Sequence, residues 1–465
     1  MPIGDVKAMD ASSIPMSIEV AGQSLVVWQN PQNAEWSVMY DVCPHRLAPL
    51  SEGRVDSESG CIECPYHGWQ FKPDGDCASI PQMEAGGIKG ANTASKVVKT
   101  RLTGDMLWVF MPIPGSYYPK PPEEAYPELH HLTGWTTRAL PYSFDFLVEN
   151  FMDPGHIPFA HHSLQGVRSD GSPIPMERIT SLGNTTHCEL TFTDKIRNKT
   201  REGTVSFQAP VYYHFRVPDK HRKGVENKIL TILAVPVGPG RSRVHLSLSF
   251  PPDKTGKRRQ PIPSWVPLWF IHGRSNNFLD SDIWVYDQER NVRGRTEGGV
   301  RSSFLRGNPP TKDARPASSM GYVLPTSSDL GAAVFRKWWA THLAKSPVFG
   351  PTPFEEMPSY RSRSDLTDRY SQHTKDCVHC RTALEKAEKY DHYSKLALIA
   401  VLALFQSRAV KLVGVFGFGL IQVVVKAVRR ATLGPGLLER TSAAQFAESK
   451  GKKVERAVPK ATTAD

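Results

Sequence analysis

The sequence has few cysteines, no long uninterrupted apolar run and no apolar segment at its start. Its seven cysteines in 465 residues are odd in number and clustered, which argues against a secreted disulfide framework and favours metal or redox use. Residues 1–16 contain no arginine and no apolar core, so they resemble neither a signal peptide nor a transit peptide. The net charge is +11, part of it in 253–260, yet no recognised basic-aromatic module is present, so no nucleic-acid partner is expected.

The length of 465 residues suits two or three domains, and 38 prolines favour loops and β structure over helix bundles. Apolar and alternating residues predict strands at 24–30 and 34–42, joined by the turn sequence NPQN. The first hundred or so residues are therefore predicted to form a small all-β domain. Its loops carry a set of cysteines and histidines between Cys43 and Trp69.

The middle of the chain has a different pattern. Residues 144–164 have apolar positions near helical spacing, and 275–293 also predict a helix. Alternating runs between these helices predict an antiparallel sheet, with strands in 186–194, 204–217, 228–238 and 243–252. Residues 306–375 are polar, rich in proline and predicted to be irregular. The fold class that follows is α+β.

Two apolar segments lie near the C-terminus, at 396–405 and 412–425, with Arg408 and Lys411 between them. Neither segment has the ~20 residues that span a bilayer as a helix. Taken as one span they would bury two cations, at a cost of ~2.5–3.5 kcal/mol each at the bilayer centre. We therefore predict a helical hairpin that contacts a membrane. A hairpin buried in the protein core is the alternative.

The cysteine- and histidine-rich stretch contains Cys43-x-His45 and Cys64-x-x-His67. Two thiolates and two imidazoles could hold either one zinc ion or a two-iron cluster. Zinc modules usually pair two cysteines in one loop and two histidines in another, whereas each loop here supplies one of each. This arrangement suits a [2Fe–2S] cluster with two cysteines on one iron and two histidines on the other. Cys61 is interpreted as a small buried residue.

A second set of metal-ligating side chains lies at 149–162. His156 and His161 are five residues apart, and a helix with a bulge at Pro158 could aim both imidazoles at one point. Two histidines and one carboxylate form the facial triad of non-haem Fe(II) oxygenases. The alternative interpretation is a polar helix with surface histidines. His162 is assigned a structural or supporting role.

The sequences CPHR and CPYHGW resemble the two loops of Rieske domains. Ala48 and Tyr66 occupy the positions where respiratory Rieske proteins have bridging cysteines, so the resemblance is to the oxygenase type. The pattern D-x-x-H-x-x-x-x-H, the late Cys377-x-x-Cys380 and the C-terminal apolar segments follow in order. Together they resemble the pheophorbide a oxygenase family, with its Tic55-type and protochlorophyllide-oxygenase-type relatives.

This resemblance implies roles for individual residues. Cys43, His45, Cys64 and His67 would hold the Rieske cluster, and His156 and His161 the mononuclear iron. Asp153 would link that iron electrically to a Rieske cluster, usually of a neighbouring subunit. The third iron ligand would be an acid about two helical turns before a Gln-Glu pair, here Gln288–Glu289. We predict Asp282, with Asp280 next and Asp287 also available.

The resemblance also implies a domain order: a Rieske [2Fe–2S] domain at 1–115, a mononuclear-iron catalytic domain of helix-grip type at 130–345, a C-x-x-C region at 346–390, membrane-associated segments at 395–430 and a basic tail at 431–465. It implies a monooxygenase that takes electrons from reduced ferredoxin, uses O₂ and opens the macrocycle of pheophorbide a. A chloroplast envelope or thylakoid location and a homotrimer are further expectations.

Several alternatives stay open at this point. The substrate could be another chlorophyll catabolite, protochlorophyllide or chlorophyllide a. The protein could also be a membrane electron carrier, or a zinc-binding structural protein. Cys377 and Cys380 could form a dithiol that thioredoxin reduces, a zinc half-site with His373 and His379, or plain free thiols.

Overall fold

A computed structural model gives the structure at residues 1–9, 15–84, 93–111, 121–126, 129, 132–181, 186–218, 226–249, 263, 265–296 and 322–449. These ranges include every cysteine, histidine and aspartate assigned a role above. The basic segment 253–260 and the end of the basic tail, from 450 onward, lie outside the described residues.

Three small antiparallel sheets form the N-terminal β domain, in the orders β1-β10-β9, β2-β3-β4 and β5-β6-β7-β8. Leu25–Trp28 are all buried in the second sheet, as expected for an apolar β-branched run. The strands are β1 Pro2–Asp5, β2 Met16–Val20, β3 Gln23–Gln29, β4 Trp36–Tyr40, β5 Arg54–Val55, β6 Ile62–Glu63, β7 Gln70–Phe71, β8 Cys77–Ser79, β9 Thr100–Thr103 and β10 Met106–Val109.

A seven-stranded antiparallel sheet forms the centre of the second part, in the order β11-β17-β16-β15-β14-β13-β12. Its side chains alternate between buried and half-buried along β13, so one face is covered by the main core. The strands are β11 Thr136–Leu140, β12 Met176–Arg178, β13 His187–Ile196, β14 Lys199–Gln208, β15 Tyr212–Pro218, β16 Glu226–Gly238 and β17 Arg241–Ser249.

Helices cover the buried face of this sheet and form the last part of the described chain, up to Ser449. The α-helices are α1 Pro122–Ala125, α2 Phe144–Phe151, α3 Ile157–Ala160, α4 Leu268–Ser281, α5 Val285–Thr296, α6 Leu330–His342, α7 Arg363–Leu366, α8 Arg369–Gln372, α9 Val378–Leu404 and α10 Arg408–Ser449. Short 3₁₀ turns lie at Leu50–Glu52, Pro154–His156, Arg168–Asp170, Ser327–Asp329, Phe354–Glu356 and Thr374–Asp376. The predicted α+β class is confirmed.

The β domain is joined to the large sheet by backbone hydrogen bonds. The amides of Ala21 and Gly22, in the β2–β3 turn, donate to the carbonyls of Pro236 and Val237 at 2.8 and 2.7 Å. Arg241 and Glu19 form an ion pair beside this contact. The domain that carries Cys43 and Cys64 is therefore fixed to the end of β16.

The single helix predicted at 144–164 is wrong. Helix α2 ends at Phe151, and Asp153 adopts an extended conformation (φ −107°, ψ 101°). The cause is Pro154, because the residue before a proline is pushed away from helical geometry. Pro158 lies in the first turn of α3, where proline is tolerated, so no bulge forms there.

The continuous helix predicted at 275–293 is also wrong. Helix α4 ends at Ser281, Asp282 has a non-helical conformation (φ −96°, ψ 7°), and α5 begins at Val285. Ile283 and Val285 are buried in the main core, so their packing turns the chain inward between the two helices.

The irregular structure predicted for 306–375 misses helix α6. Within the described part of that range, Phe335, Trp338 and Trp339 of α6 are almost fully buried in the main core. Their helical spacing packs the helix against α2 and the large sheet. The burial of large aromatic residues outweighs the local abundance of proline and polar residues.

Helices α9 and α10 form the predicted hairpin, and its apolar side chains are exposed. Leu412, Val413 and Phe416 are 68%, 73% and 71% exposed, so the alternative of a buried core hairpin is wrong. Arg408–Leu437 is long and apolar enough to cross a membrane, judged by length and composition alone. Only 6% of its most apolar 18-residue stretch is buried inside the protein. Helix α10 is interrupted at Gly434, where φ is +76°.

Candidate iron–sulfur and mononuclear iron sites

Two loops with the same backbone design carry the first set of ligands. The Cys43 amide donates a 2.8 Å hydrogen bond to the Ala48 carbonyl, five residues later. The Cys64 amide donates a hydrogen bond of the same length to the Trp69 carbonyl, also five residues later. The amides of Leu47 and Gly68 donate back to the Cys43 and Cys64 carbonyls. Leu47 and Gly68 have φ values of +60° and +72°, a backbone conformation that glycine adopts readily and leucine rarely does.

The two loops bring two sulfurs together inside the domain and two imidazoles together at its surface. Cys43 and Cys64 are 1% and 2% exposed, and burial raises the pKa of the Cys43 thiol to about 11. The His45 and His67 rings lie 4.6 Å apart between centroids. The Trp69 ring stacks on His45 at 4.6 Å, which holds that imidazole at the domain surface.

This arrangement fits a two-iron cluster better than a single zinc ion. Some sets of metal-ligating side chains in the described residues have all their ligand atoms within 4.8 Å of one another. Cys43, His45, Cys64 and His67 do not form such a set. A donor set spread more widely than one ion requires, with cysteines on one side and histidines on the other, suits a [2Fe–2S] cluster. Cys61 is 4% exposed and has a small buried side chain, as predicted.

The second site joins His156, His161 and Asp282. Their ligand atoms lie within 4.8 Å of one another. The two Nε2 atoms are 3.2 Å apart, and the Nε2 atom of His161 is 3.5 Å from Oδ2 of Asp282. The 3₁₀ turn that begins at Pro154 carries His156, the end of α3 carries His161, and the break after α4 carries Asp282. Both helix breaks that the sequence did not predict therefore position a member of this group.

Hydrogen bonds fix the orientation of both imidazoles. Nδ1 of His156 lies 2.5 Å from the backbone oxygen of Asp153, a carbonyl that can only accept a hydrogen bond. Nδ1 of His161 lies 2.8 Å from Oγ of Ser281, whose own hydroxyl donates to the Phe278 carbonyl. Both rings therefore carry their proton on Nδ1 and present bare Nε2 atoms to each other.

The group is suited to a cation. Two facing Nε2 lone pairs repel each other unless a proton or a metal ion lies between them. Burial, with help from His156, lowers the pKa of His161 to about 3, which disfavours a proton on this ring. Asp282 is 3% exposed, and its Oδ1 atom is buried without a hydrogen-bond partner. Burial raises the pKa of Asp282 to about 6, because it disfavours the charged carboxylate. A bound metal ion would offset this cost of burying the charge.

The other acids and the other histidine of these segments face elsewhere. Asp280 forms ion pairs with Arg138 and Arg369, at 2.6 and 2.7 Å. Asp287 is exposed on α5, and His162 is exposed beside His161. Of the three acids, the structure therefore places Asp282 with the histidines. Its role as an iron ligand stays a prediction.

Asp153 lies between the histidine group and the protein surface. Its side chain is 35% exposed, and its Oδ2 atom is 3.9 Å from Nδ1 of His156. The Gly155 amide donates to its Oδ1 atom at 2.6 Å, which fixes the carboxylate. Asp153 and His156 line a cleft of about 550 Å³, so the carboxylate is accessible to another molecule.

Two supporting residues of this site were not identified from the sequence. Nδ2 of Asn150 donates to Oδ2 of Asp282 at 3.1 Å, and Ser281 orients His161. Asn150 lies one helical turn before Pro154, and Ser281 directly precedes Asp282. Polar residues in these positions beside candidate ligands are the available signal, but only the fold places them in contact.

Replacing Ser281 by alanine is expected to lower Fe(II) affinity at the second site by about 10–100-fold, because His161 loses the acceptor that fixes its ring. Titration of Fe(II) into iron-free protein measures this change. Ser275→Ala is the matched control, since Ser275 lies on the same helix and contacts Thr136 instead. Equal affinities of the two variants would contradict the orienting role of Ser281.

Comparison with known proteins adds evidence from both parts of the chain. Residues 1–100 match the family described as Rieske [2Fe-2S] domain, and residues 207–298 match the family described as Pheophorbide a oxygenase. The chain is 30% identical over 403 residues to "Pheophorbide a oxygenase, chloroplastic" of Arabidopsis thaliana, covering 82% of this chain and 71% of that protein. This chain belongs to the pheophorbide a oxygenase family.

Other relatives of this chain carry different names. The chain is 30% identical over 444 residues to "Protochlorophyllide-dependent translocon component 52, chloroplastic" of Arabidopsis thaliana, covering 84% of this chain and 72% of that protein. It is 27% identical over 424 residues to "Flavonoid 8-hydroxylase 2, chloroplastic" of Ocimum basilicum, covering 83% of this chain and 73% of that protein.

Membership of this family confirms the predicted class of enzyme and its cofactors. The protein is a Rieske-type oxygenase that uses a [2Fe–2S] cluster and a mononuclear non-haem iron. Enzymes of this type use a ferredoxin-type electron donor and O₂. The alternatives of a pure electron carrier and of a zinc-binding structural protein are thereby set aside.

Proposed function

We propose that this protein is a chloroplast monooxygenase that takes electrons from reduced ferredoxin and opens the macrocycle of pheophorbide a, a tetrapyrrole formed in chlorophyll breakdown. The names of two relatives support a tetrapyrrole substrate, one of them a pheophorbide a oxygenase at 30% identity. The chloroplast location rests on the same names. The observation that carries the proposal is the close group of His156, His161 and Asp282.

The residue roles in this proposal follow from the two sites. Cys43, His45, Cys64 and His67 hold the cluster, and His156, His161 and Asp282 hold the mononuclear iron. Two imidazoles and one carboxylate leave coordination positions open, and the iron supplies O₂ activation there. The chain contributes the fixed Nδ1 protons of both histidines, which keep the Nε2 atoms directed at the metal.

Asp153 is proposed to join the iron site to the cluster of a neighbouring subunit in a homotrimer. The exposed His45 edge of the β domain and the accessible Asp153 carboxylate support this arrangement, because a carboxylate can accept a hydrogen bond from a cluster-bound imidazole. A closed ring of head-to-tail contacts brings each cluster to the next subunit's iron site.

The experiment for the proposed substrate is turnover by the purified protein with ferredoxin, ferredoxin reductase and O₂. The panel contains pheophorbide a, protochlorophyllide, chlorophyllide a, an open-chain chlorophyll catabolite and a flavonoid. A red open-chain product from pheophorbide a is the expected result. Turnover of another compound, with pheophorbide a unchanged, would refute the proposed substrate while leaving the oxygenase class intact.

Replacing Asp153 by asparagine is expected to slow reoxidation of the reduced cluster by about 10–100-fold in the presence of substrate and O₂. Asparagine keeps the shape of the side chain but removes the charge that attracts imidazole protons. Stopped-flow absorbance of the cluster measures the rate. Asp329→Asn is the matched control, because Asp329 lines the same cleft. Equal rates for both variants and the unmodified protein would exclude the proposed role of Asp153.

The hairpin of α9 and α10 is proposed to attach the protein to a membrane surface. The apolar part of α9 covers 396–405, and ten residues of helix rise about 15 Å, half of a bilayer core of about 30 Å. Arg408 and Lys411 lie at the hairpin tip, so a shallow position that leaves them near lipid headgroups avoids the cost of burying them.

Replacing Leu412 and Phe416 together by glutamine is expected to weaken binding to lipid vesicles by on the order of 100-fold or more. Each side chain contributes roughly 1.5–3 kcal/mol when it is buried in an apolar phase. Vesicle co-sedimentation measures the change. Leu102→Gln, at a leucine that is 53% exposed in the β domain, is the control. Equal vesicle binding by the Leu412/Phe416 double variant and the Leu102→Gln control would refute the role of the hairpin.

A further inference from the structure

A second compact group of cysteines and histidines lies away from both iron sites. It consists of His272, His373, Cys377 and Cys380. Cys377 caps the N-terminus of α9, Cys380 lies in its first turn, and His373 directly precedes the 3₁₀ turn that leads into α9. His272 comes from α4, about a hundred residues earlier in the chain.

The four ligand atoms form a cluster of the size of a single metal ion. All of them lie within 4.8 Å of one another. Nε2 of His373 is 3.2 Å from Sγ of Cys380, and Nδ1 of His272 is 3.4 Å from Sγ of Cys380 and 3.5 Å from Sγ of Cys377. Nδ1 of His272 thus faces both sulfurs.

The surroundings of the cluster are those of a closed site. His272, His373, Cys377 and Cys380 are 1%, 4%, 4% and 1% exposed. Nδ1 of His373 lies 2.5 Å from the backbone oxygen of Thr137, so this ring donates its proton to β11 and presents a bare Nε2 to the sulfurs. A backbone carbonyl that orients a ligating imidazole in this way is usual at protein metal sites.

We propose that His272, His373, Cys377 and Cys380 bind one Zn²⁺ ion in a tetrahedral, structural site. Two thiolates and two neutral imidazoles complete the four-coordinate shell that zinc prefers and leave no open position. Binding releases one proton from each thiol, and the two thiolate charges balance the charge of the ion. The buried site is therefore neutral once it is loaded.

The assignment differs in one ligand from the zinc half-site considered from the sequence. His379 lies next to Cys380 in sequence, but the donor group contains His272 and not His379. The His379 ring is 6.3 Å from the His272 ring between centroids, and its Nε2 atom is buried without a hydrogen-bond partner. Its position beside the site, outside the donor group, makes it a matched control.

The zinc ion would fasten the base of the hairpin to the catalytic domain. His272 lies on α4, the helix that ends at Ser281 and is followed by Asp282. Cys377 and Cys380 lie at the start of α9. Helix α4 also packs against α10, with Gly273 of α4 close to Ala431 of α10. One ion would thus link the helix next to the mononuclear iron site to the start of the first helix of the hairpin.

This proposal competes with the dithiol that thioredoxin would reduce, because the same two sulfurs cannot ligate zinc and form a disulfide at once. The test uses the full chain, produced in medium with zinc and purified without chelators. Metal analysis is expected to find one zinc per chain in addition to iron. Replacing the zinc by Co²⁺ is expected to give the visible absorption of tetrahedral cobalt with thiolate ligands.

Variants locate the ion. Cys377→Ser with Cys380→Ser is expected to lower zinc affinity by on the order of 100-fold or more, whereas His379→Gln keeps the ion. His272→Cys supplies a fourth ligand of another type, so it is expected to keep zinc and to strengthen the thiolate absorption of the cobalt form. The visible spectrum of the Rieske cluster shows that each variant is folded.

Three results would overturn the proposal. One is unmodified protein with an intact cluster spectrum that contains no zinc and takes up no Co²⁺. Another is zinc content that is unchanged in the double cysteine variant. The third is a Cys377–Cys380 disulfide in folded, metal-free protein as purified, which would assign these residues to thiol–disulfide chemistry instead.

Discussion

Replacing His161 by alanine is expected to abolish turnover, with a loss on the order of 10³-fold or more, while the visible spectrum of the [2Fe–2S] cluster stays unchanged. His161 contributes one of the two bare Nε2 atoms and lies 3.5 Å from Asp282, so its removal leaves one imidazole and one carboxylate. A metal ion supplies several kcal/mol of transition-state stabilisation, and each 1.36 kcal/mol is tenfold in rate.

The control for this variant is the neighbouring histidine. His162 is exposed and directly follows His161, so His162→Ala tests the loss of an imidazole from the same short segment. We expect it to keep its mononuclear iron and its turnover. Iron analysis and product formation are measured together. Full iron content and activity in the His161 variant would exclude His161 as a ligand.

Replacing Arg336 by methionine is expected to lower the free energy of unfolding by about 3–5 kcal/mol, because buried Glu149 loses its ion-pair partner and buried Asp145 keeps only Arg293. Arg336 is 3% exposed on α6. It pairs with Asp145 at 2.6 Å and with Glu149, both on α2. Its guanidinium also lies 4.4 Å from the centroid of the Phe146 ring. Helix α2 leads directly to Asp153, so this network supports the iron site.

Urea unfolding followed by circular dichroism measures this loss. Arg54→Met is the control, because Arg54 also forms a two-point pair with a carboxylate, Glu63, but is 70% exposed. An exposed pair of this kind contributes roughly 0–1 kcal/mol. Similar losses in the two variants would contradict the importance of the buried network.

The loss in the Arg336 variant is also expected to depend on pH. Burial raises the pKa of Glu149 even with Arg336 present, and removal of the arginine raises it further. A carboxyl group with a raised folded-state pKa binds its proton more tightly in the folded protein. The deficit in stability therefore shrinks as the pH falls through that pKa and is largest above it. A deficit that grows toward acid pH would contradict this account.

Local spacing was sufficient to predict which neighbouring side chains lie close together in each of the two candidate sites. Cys43 and His45 lie in one short loop and Cys64 and His67 in another, so the sequence distance limits the distance in space within each pair. His156 and His161 are close for the same reason. The confirmed family and fold class follow from these short motifs and from the alternating strands between them.

The distant partners could not be predicted in the same way. Asp282 and Asp280 differ by two positions in one acidic segment, and the end of α4 at Ser281 turns the first toward His161 while the second pairs with Arg138 and Arg369. The sequence does not indicate His272 as a partner of Cys377 and Cys380, because the packing of α4 on the hairpin is a property of the whole fold. The aromatic spacing of α6 favours a helix, whereas the surrounding prolines and polar residues favour irregular structure.

The most direct test of the central claim is a single turnover of pre-reduced protein. The cluster is reduced, excess reductant is removed, and pheophorbide a is added with ¹⁸O₂. We expect the cluster to be reoxidised and an open-chain product carrying one ¹⁸O atom to form at the same rate. A cluster that stays reduced, or one that is reoxidised without any labelled product, would contradict an oxygenase in which this cluster feeds this iron site for this substrate.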